Sequence, residues 1–92
     1  NYSRGMKLLN RVEDNFTKIE TYRNGIYRAF QDIENSPNMA QDLREITDLR
    51  RQEGEALDDS KRFMNELRKI DAEYAMFGTI VENLSKRIDW NG

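Results

Sequence analysis

The sequence predicts an all-α protein: an antiparallel helical hairpin with a coiled-coil seam and a long second helix. Three observations carry that reading. Apolar residues recur every three or four positions over most of the 92 residues, the spacing of one helix face. The single proline, Pro37, marks one hard break, because proline cannot continue a helix. Alternating β-branched runs are missing, and turn residues cluster nowhere else, so strands are not indicated. The whole chain, 1–92, reads as a single helical-hairpin domain.

The first element spans about 2–34. Leu9, Phe16, Arg23 and Phe30 take heptad position a, and Val12, Ile19, Ile26 and Ile33 take d. Extended backward, the register puts Tyr2 at a and Gly5 at d. Arg23 is its misfit. Asn24-Gly25 would favour a turn between strands, but the stripe resumes in register beyond it. It is read as helix, at a penalty of about 1 kcal/mol.

The turn falls at 35–37. Pro37 pushes the residue before it out of the helical region. Ser36 is then the expected N-cap of the next helix, with Pro37 at its first position.

The second element spans about 37–89. Met39, Ile46, Glu53, Ser60, Leu67, Tyr74, Val81 and Ile88 are a, and Leu49, Ala56, Phe63, Ile70, Phe77 and Leu84 are d. Leu57 and Met64 widen the seam at e, and Ile80 at g. Asp14–Lys18, Asp58–Arg62 and Glu82–Lys86 are helix-supporting pairs with the acid first. The polar stretch from Arg50 to Arg62 contains Gly54. A break there, giving a three-helix bundle, is the alternative architecture.

A tight turn at 35–37 pairs residues whose numbers add to about 72. Large then faces small at Phe16–Ala56 and Gly5–Leu67, while Phe30–Asp42 makes a poor layer. Arg23 and Glu53 fall in adjacent layers, where their charges form a pair that sets the register.

Composition narrows the function. Neither cysteine nor histidine occurs, which removes disulfides, thiolate nucleophiles, imidazole bases and Cys/His zinc sites. The absence of cysteine is compatible with the cytoplasm and with bacterial secretion alike, and localisation stays open. Lys+Arg total 15 against 17 for Asp+Glu, so no large basic field exists and a nucleic-acid partner is disfavoured. No apolar run approaches the roughly 18 residues of a membrane span. Residue 1 is Asn rather than Met, so a trimmed or processed chain is expected.

Chemistry has little to stand on. Glu53, Glu55, Asp58 and Asp59 form the densest acidic group. They lack the spacing of a calcium loop and read as a solvated helix face. Arg50-Arg51 and Lys61-Arg62 are interleaved with acids, and no phosphate-binding glycine loop occurs. Three Asn-x-Ser/Thr triplets begin at Asn1, Asn15 and Asn83, two of them beside seam residues, and are read as chance. Tyr22 and Tyr27 flank the first stripe, where they cover the core edge or line a partner groove. Trp90 is either a terminal plug or a contact for another chain.

The expectation is therefore a non-enzymatic helical interaction or assembly module that oligomerises through coiled-coil packing. It has no cofactor, metal or small-molecule substrate. The pairing uses up the first helix near Ile70. That leaves Tyr74, Phe77, Ile80, Val81, Leu84 and Ile88 as an unpartnered apolar stripe. The expected partner is a second copy, a dimer being favoured, or a helix of another protein. A fold-back after a break near Gly54 is the monomeric alternative. A small helical subunit or chaperone of a bacterial secretion or phage assembly shares the same physics, and a nucleic-acid binder is the more distant alternative. The outline is similar to that of secreted WXG-type hairpins and secretion-needle subunits. The turn lacks Trp-x-Gly and the second helix is longer than a needle hairpin would want, so no family is assigned.

Overall fold

The structure, a computed structural model, describes residues 2–91. Three helices follow one another: α1 (Tyr2–Asp32), α2 (Met39–Tyr74) and α3 (Gly78–Arg87), with a 3-10 turn, Ile33–Asn35, after α1. α1 and α2 form the antiparallel hairpin that the heptads call for. The molecule is a rod of 56 × 17 × 17 Å.

The break at Pro37 lies where expected, but its capping differs. Asn38, not Ser36, is the N-cap of α2: its side-chain oxygen accepts the Gln41 amide at 3.3 Å. Ser36 instead accepts the Asn38 amide on its hydroxyl at 3.1 Å, a local turn bond. The connection is thus wider than a tight turn at 35–37, and it moves the cross-helix pairing. Arg11 lies over Phe63, Gly25 faces Leu49 and Arg23 binds Glu53. Arg23 therefore meets Glu53 directly rather than facing Leu49. Gly25 lies within the helix because Leu49 packs close to it; an added β-carbon would stand 3.2 Å from the leucine methyl.

α2 runs unbroken through Gly54, around which a β-carbon would meet nothing within 4 Å. It does not continue to residue 89. It ends at Tyr74, and Ala75 takes the left-handed conformation at φ 52°, ψ 42°. Among the described residues Ala75 is the one non-glycine residue with positive φ, a conformation that costs an L-residue about 1–2 kcal/mol. Asp71 holds the turn twice. Its carbonyl accepts the Ala75 amide at 2.7 Å, and its carboxylate accepts the Phe77 amide at 3.1 Å.

α3 then folds back along α1. Phe77 lies on Gly5 and stacks on Tyr2 with ring centroids 6.3 Å apart. Ile80 and Leu84 face Leu9 and Glu13. Arg87 lies over the Phe16 ring, and Trp90 meets that ring edge-on at 5.4 Å. On the α2 side Arg68 donates to the Ser85 hydroxyl at 3.1 Å. The chain thereby covers much of its own unpartnered stripe, because Gly5 and the α1–α2 groove leave room for it.

One apolar cluster joins the three helices, running from Leu8, Val12, Phe16 and Ile19 through Leu57, Met64 and Leu67 to Phe77, Val81 and Leu84. Full burial of each large side chain contributes about 1.5–3 kcal/mol. Ser60, the one buried polar residue among those described, donates its hydroxyl to the Ala56 carbonyl at 2.7 Å. The cluster lies away from the turn. Between Arg23 and Gln52 the hairpin buries Ile46 alone. Among the described residues no helix is long and apolar enough to cross a membrane.

Candidate interaction surface

Arg23 divides the hairpin. Its Nε donates to Glu53 Oε2 at 2.6 Å, and its Nη2 donates to the carbonyl of Asp89, just past α3. Both side chains of the ion pair are largely buried, at 27% and 14% exposed. Such a pair is costly to break from one side, since the partner charge is then left uncompensated. Toward the chain ends the groove beside the seam is filled by α3. Toward the turn the same groove is empty.

The open half is built from both helices. Ile26, Tyr27 and Phe30 of α1 and Arg50 and Glu53 of α2 line a groove of about 260 Å³. The Arg50 guanidinium covers part of the Phe30 ring at 5.7 Å from its centroid, a cation–π contact. Nearer the turn stand Met39 and Leu43. Tyr27 is 65% exposed and Phe30, Met39 and Leu43 close to half. In heptad terms Tyr27, Phe30, Met39, Leu43, Arg50 and Glu53 are the a and e positions of both helices, with Ile26 at d beneath them. The stretch covered by α3 presents the same positions, in Leu9, Glu13, Phe16 and Met64. The outer border of the open half is uncharged at Asn24, Gln31, Ala40 and Thr47.

The carboxylates gather on the opposite flank, at Asp32, Glu45, Asp48 and Glu55. There Arg51 binds Asp48 at 2.7 Å and Glu55 at 2.8 Å, and Gln52 donates to Asp48 at 2.7 Å. The hydrogen bonds from Arg51 and Gln52 hold the Asp48 carboxyl below its ordinary value. The bonds to Asp48 and Glu55 raise the Arg51 guanidinium above its own.

The stripe expected to bind a partner is split. Phe77, Val81 and Leu84 are buried within the chain, and Ile88 packs against the core. Tyr74 and Ile80 are exposed, at 45% and 37%. Trp90 is a plug on Phe16, with its indole N–H given to the Ser85 carbonyl at 2.9 Å. Of the open-groove residues, the heptads single out Tyr27 as a flank. Phe30 and Met39 read as interior, at position a, and Leu43 falls at e, four residues after Met39. The poor Phe30–Asp42 layer was the one sign that the seam does not close there.

The acidic run does not converge. Glu53 turns to Arg23, Glu55 to Arg51 and Asp59 to Arg62. Among the described residues no three acidic side chains come together to hold a metal ion. The Ser60 and Ser85 hydroxyls are given to carbonyls one helical turn back. Compared with protein-family models, curated proteins and solved structures, the chain finds no match.

Proposed function

We propose that this chain is a non-enzymatic helical interaction module whose working surface is the open half of the hairpin groove. The observation that carries the reading is the continuity of that groove. Where Gly5 to Arg23 lie, an amphipathic helix, α3, fills it; from Tyr27 to the turn the same seam positions stay apolar and uncovered. A second helical hairpin laid on this half completes a four-helix arrangement. A second copy is the partner of choice. The one carboxylate lining the groove, Glu53, is already paired with Arg23, so two copies face each other without a free acid between them. Each aromatic side chain there supplies on the order of 100 Å² of apolar surface to such a contact. The grooves of the molecule are shallow and open along the rod, suited to a helix rather than to an enclosed substrate.

The test is the double variant Tyr27→Asp with Leu43→Asp. Both side chains are exposed, so the helical circular-dichroism signal and the buried core stay unchanged. Light scattering of the unaltered chain at tens of micromolar gives an associated species, and the double variant is monomeric. A monomer in both, with no binding of amphipathic helices, refutes the reading.

A further inference from the structure

We propose that α3 is an exchangeable arm: the groove between Gly5 and Arg23 takes either the chain's own α3 or the α3 of a second copy. The proposal goes beyond the open groove at the turn and does not depend on it. It rests on the hinge. Tyr74, Ala75 and Met76 hold neither glycine nor proline, and alanine and methionine are good helix formers. Yet Ala75 is held at φ 52°, where glycine is the ordinary occupant. The heptad also passes the hinge without a slip, from Leu67 and Ile70 through Tyr74 and Phe77 to Val81, Leu84 and Ile88.

A chain that straightens at Ala75 therefore loses the strained turn and joins α2 to α3 as one helix of about 50 residues, about 75 Å long. Within one molecule α3 lies antiparallel to α2. In a two-fold, end-to-end pair the straightened arm of one copy again lies antiparallel to α2 of the other. Each contact is regained between copies: Phe77 on Gly5, Trp90 on Phe16, and the Asp89 carbonyl on Arg23. What the exchange changes is the hinge alone, which is why exchange of an identical element is a low-cost route to a dimer.

The hinge residue decides the balance. Ala75→Gly favours the closed monomer, since glycine takes the left-handed conformation about as readily as the helical one and so removes the penalty that alanine carries in the turn. The effect is about 10-fold per hinge, hence about 100-fold in the dimerisation constant of a pair with two hinges. Ala75→Val acts in the opposite sense, because a β-branched residue does not tolerate positive φ.

The experiment is carried out on the full chain with Tyr27→Asp and Leu43→Asp present, so that association through the turn-side groove plays no part. Protein refolded at high concentration is sized by chromatography with light scattering. Monomeric when kept native at tens of micromolar, the Ala75 chain gives after this refolding a trapped dimer fraction roughly twice as long as the 56 Å monomer. Ala75→Gly reduces the dimer and Ala75→Val increases it. Cysteines placed at Glu13 and Lys86, which line one groove, react alone, since the chain has no cysteine. A short bismaleimide then joins two chains in the dimer fraction and stays within one chain in the monomer. Equal dimer fractions for Ala75, Gly and Val, absence of dimer from all three, or cross-links confined to single chains in the dimer fraction would overturn the proposal.

Discussion

Phe77 occupies the space that a side chain on Gly5 would need: a β-carbon there would stand 2.2 Å from the phenylalanine ring. The two residues lie at opposite ends of the chain, and each explains the other. Glycine within a helix is a weakness of about 1 kcal/mol. Here it opens the seat into which a ring, 2% exposed, is packed.

Gly5→Ala therefore improves α1 locally by about 1 kcal/mol and overpacks the seat at a cost of about 1–3 kcal/mol. The loss falls on α3. Hydrogen exchange should show faster exchange of the amides of 78–87 with α1 and α2 protection kept. Phe77→Ala alone costs about 3–5 kcal/mol. Combined with Gly5→Ala it should cost less than the sum of the two, because the clash is gone. Additive costs would mean that the ring does not sit on Gly5.

Arg23 and Glu53 give a second coupling. Arg23→Ala or Glu53→Ala should each destabilise the protein by about 1–3 kcal/mol, and a double-mutant cycle should show that the two are coupled. The variants also separate in one respect. Arg23 alone reaches the Asp89 carbonyl, next to Trp90. Arg23→Ala should change the fluorescence of Trp90 and loosen the tail, whereas Glu53→Ala should leave the emission near that of the unaltered chain. Equal emission changes in both would place the tail's anchor elsewhere.

The fold was legible in the sequence up to Tyr74. The heptads placed α1 and the body of α2, Pro37 placed the break between them, and the charged misfits Arg23 and Glu53 belonged near each other because neither tolerates an apolar seam alone. The end of α2 was not legible. Helix ends are read from glycine, proline and capping residues, and Tyr74-Ala75-Met76 offers none. The break is set by tertiary packing: Phe77 has a seat on Gly5, and Asp71 closes the turn. A seam position as small as Gly5 was the available hint that a large side chain from elsewhere must fill the layer. The open groove was obscured for a related reason. Phe30 and Met39 have the periodicity of core residues, and periodicity reports which face is apolar, not whether anything covers it.

Asp71 is the next test of that account. Its carboxylate accepts the Phe77 amide at 3.1 Å, and both its oxygens lie near Gly78. Asp71→Ala should cost about 1 kcal/mol by leaving that amide without its partner, and Asp71→Asn, which keeps an acceptor oxygen, should recover part of it. Chemical denaturation measures both. A neutral Asp71→Ala would show that the turn is held by Phe77 packing alone.

Asp48 offers a test on the flank away from the groove. Arg51 and Gln52 both donate to its carboxylate and lower its pKa from the ordinary 3.8. A carboxyl depressed in the folded state stabilises the fold above its unfolded pKa. That contribution is lost as the pH falls through the lower, folded-state value. Titration followed by carboxyl-carbon NMR should therefore give Asp48 a midpoint below 3.8. Arg51→Ala should move the midpoint up toward that value, and Gln52→Ala should move it in the same direction by less, because Arg51 is the larger cause. The side chain is exposed, so the accompanying change in global stability should be slight and should shrink further in high salt. A midpoint unmoved by Arg51→Ala would mean that the Arg51 bridge does not persist in solution. The flank would then carry an unpaired row of Asp48 and Glu55 carboxylates, more repulsive to a second copy and leaving the Tyr27–Leu43 side as the more favourable face for association.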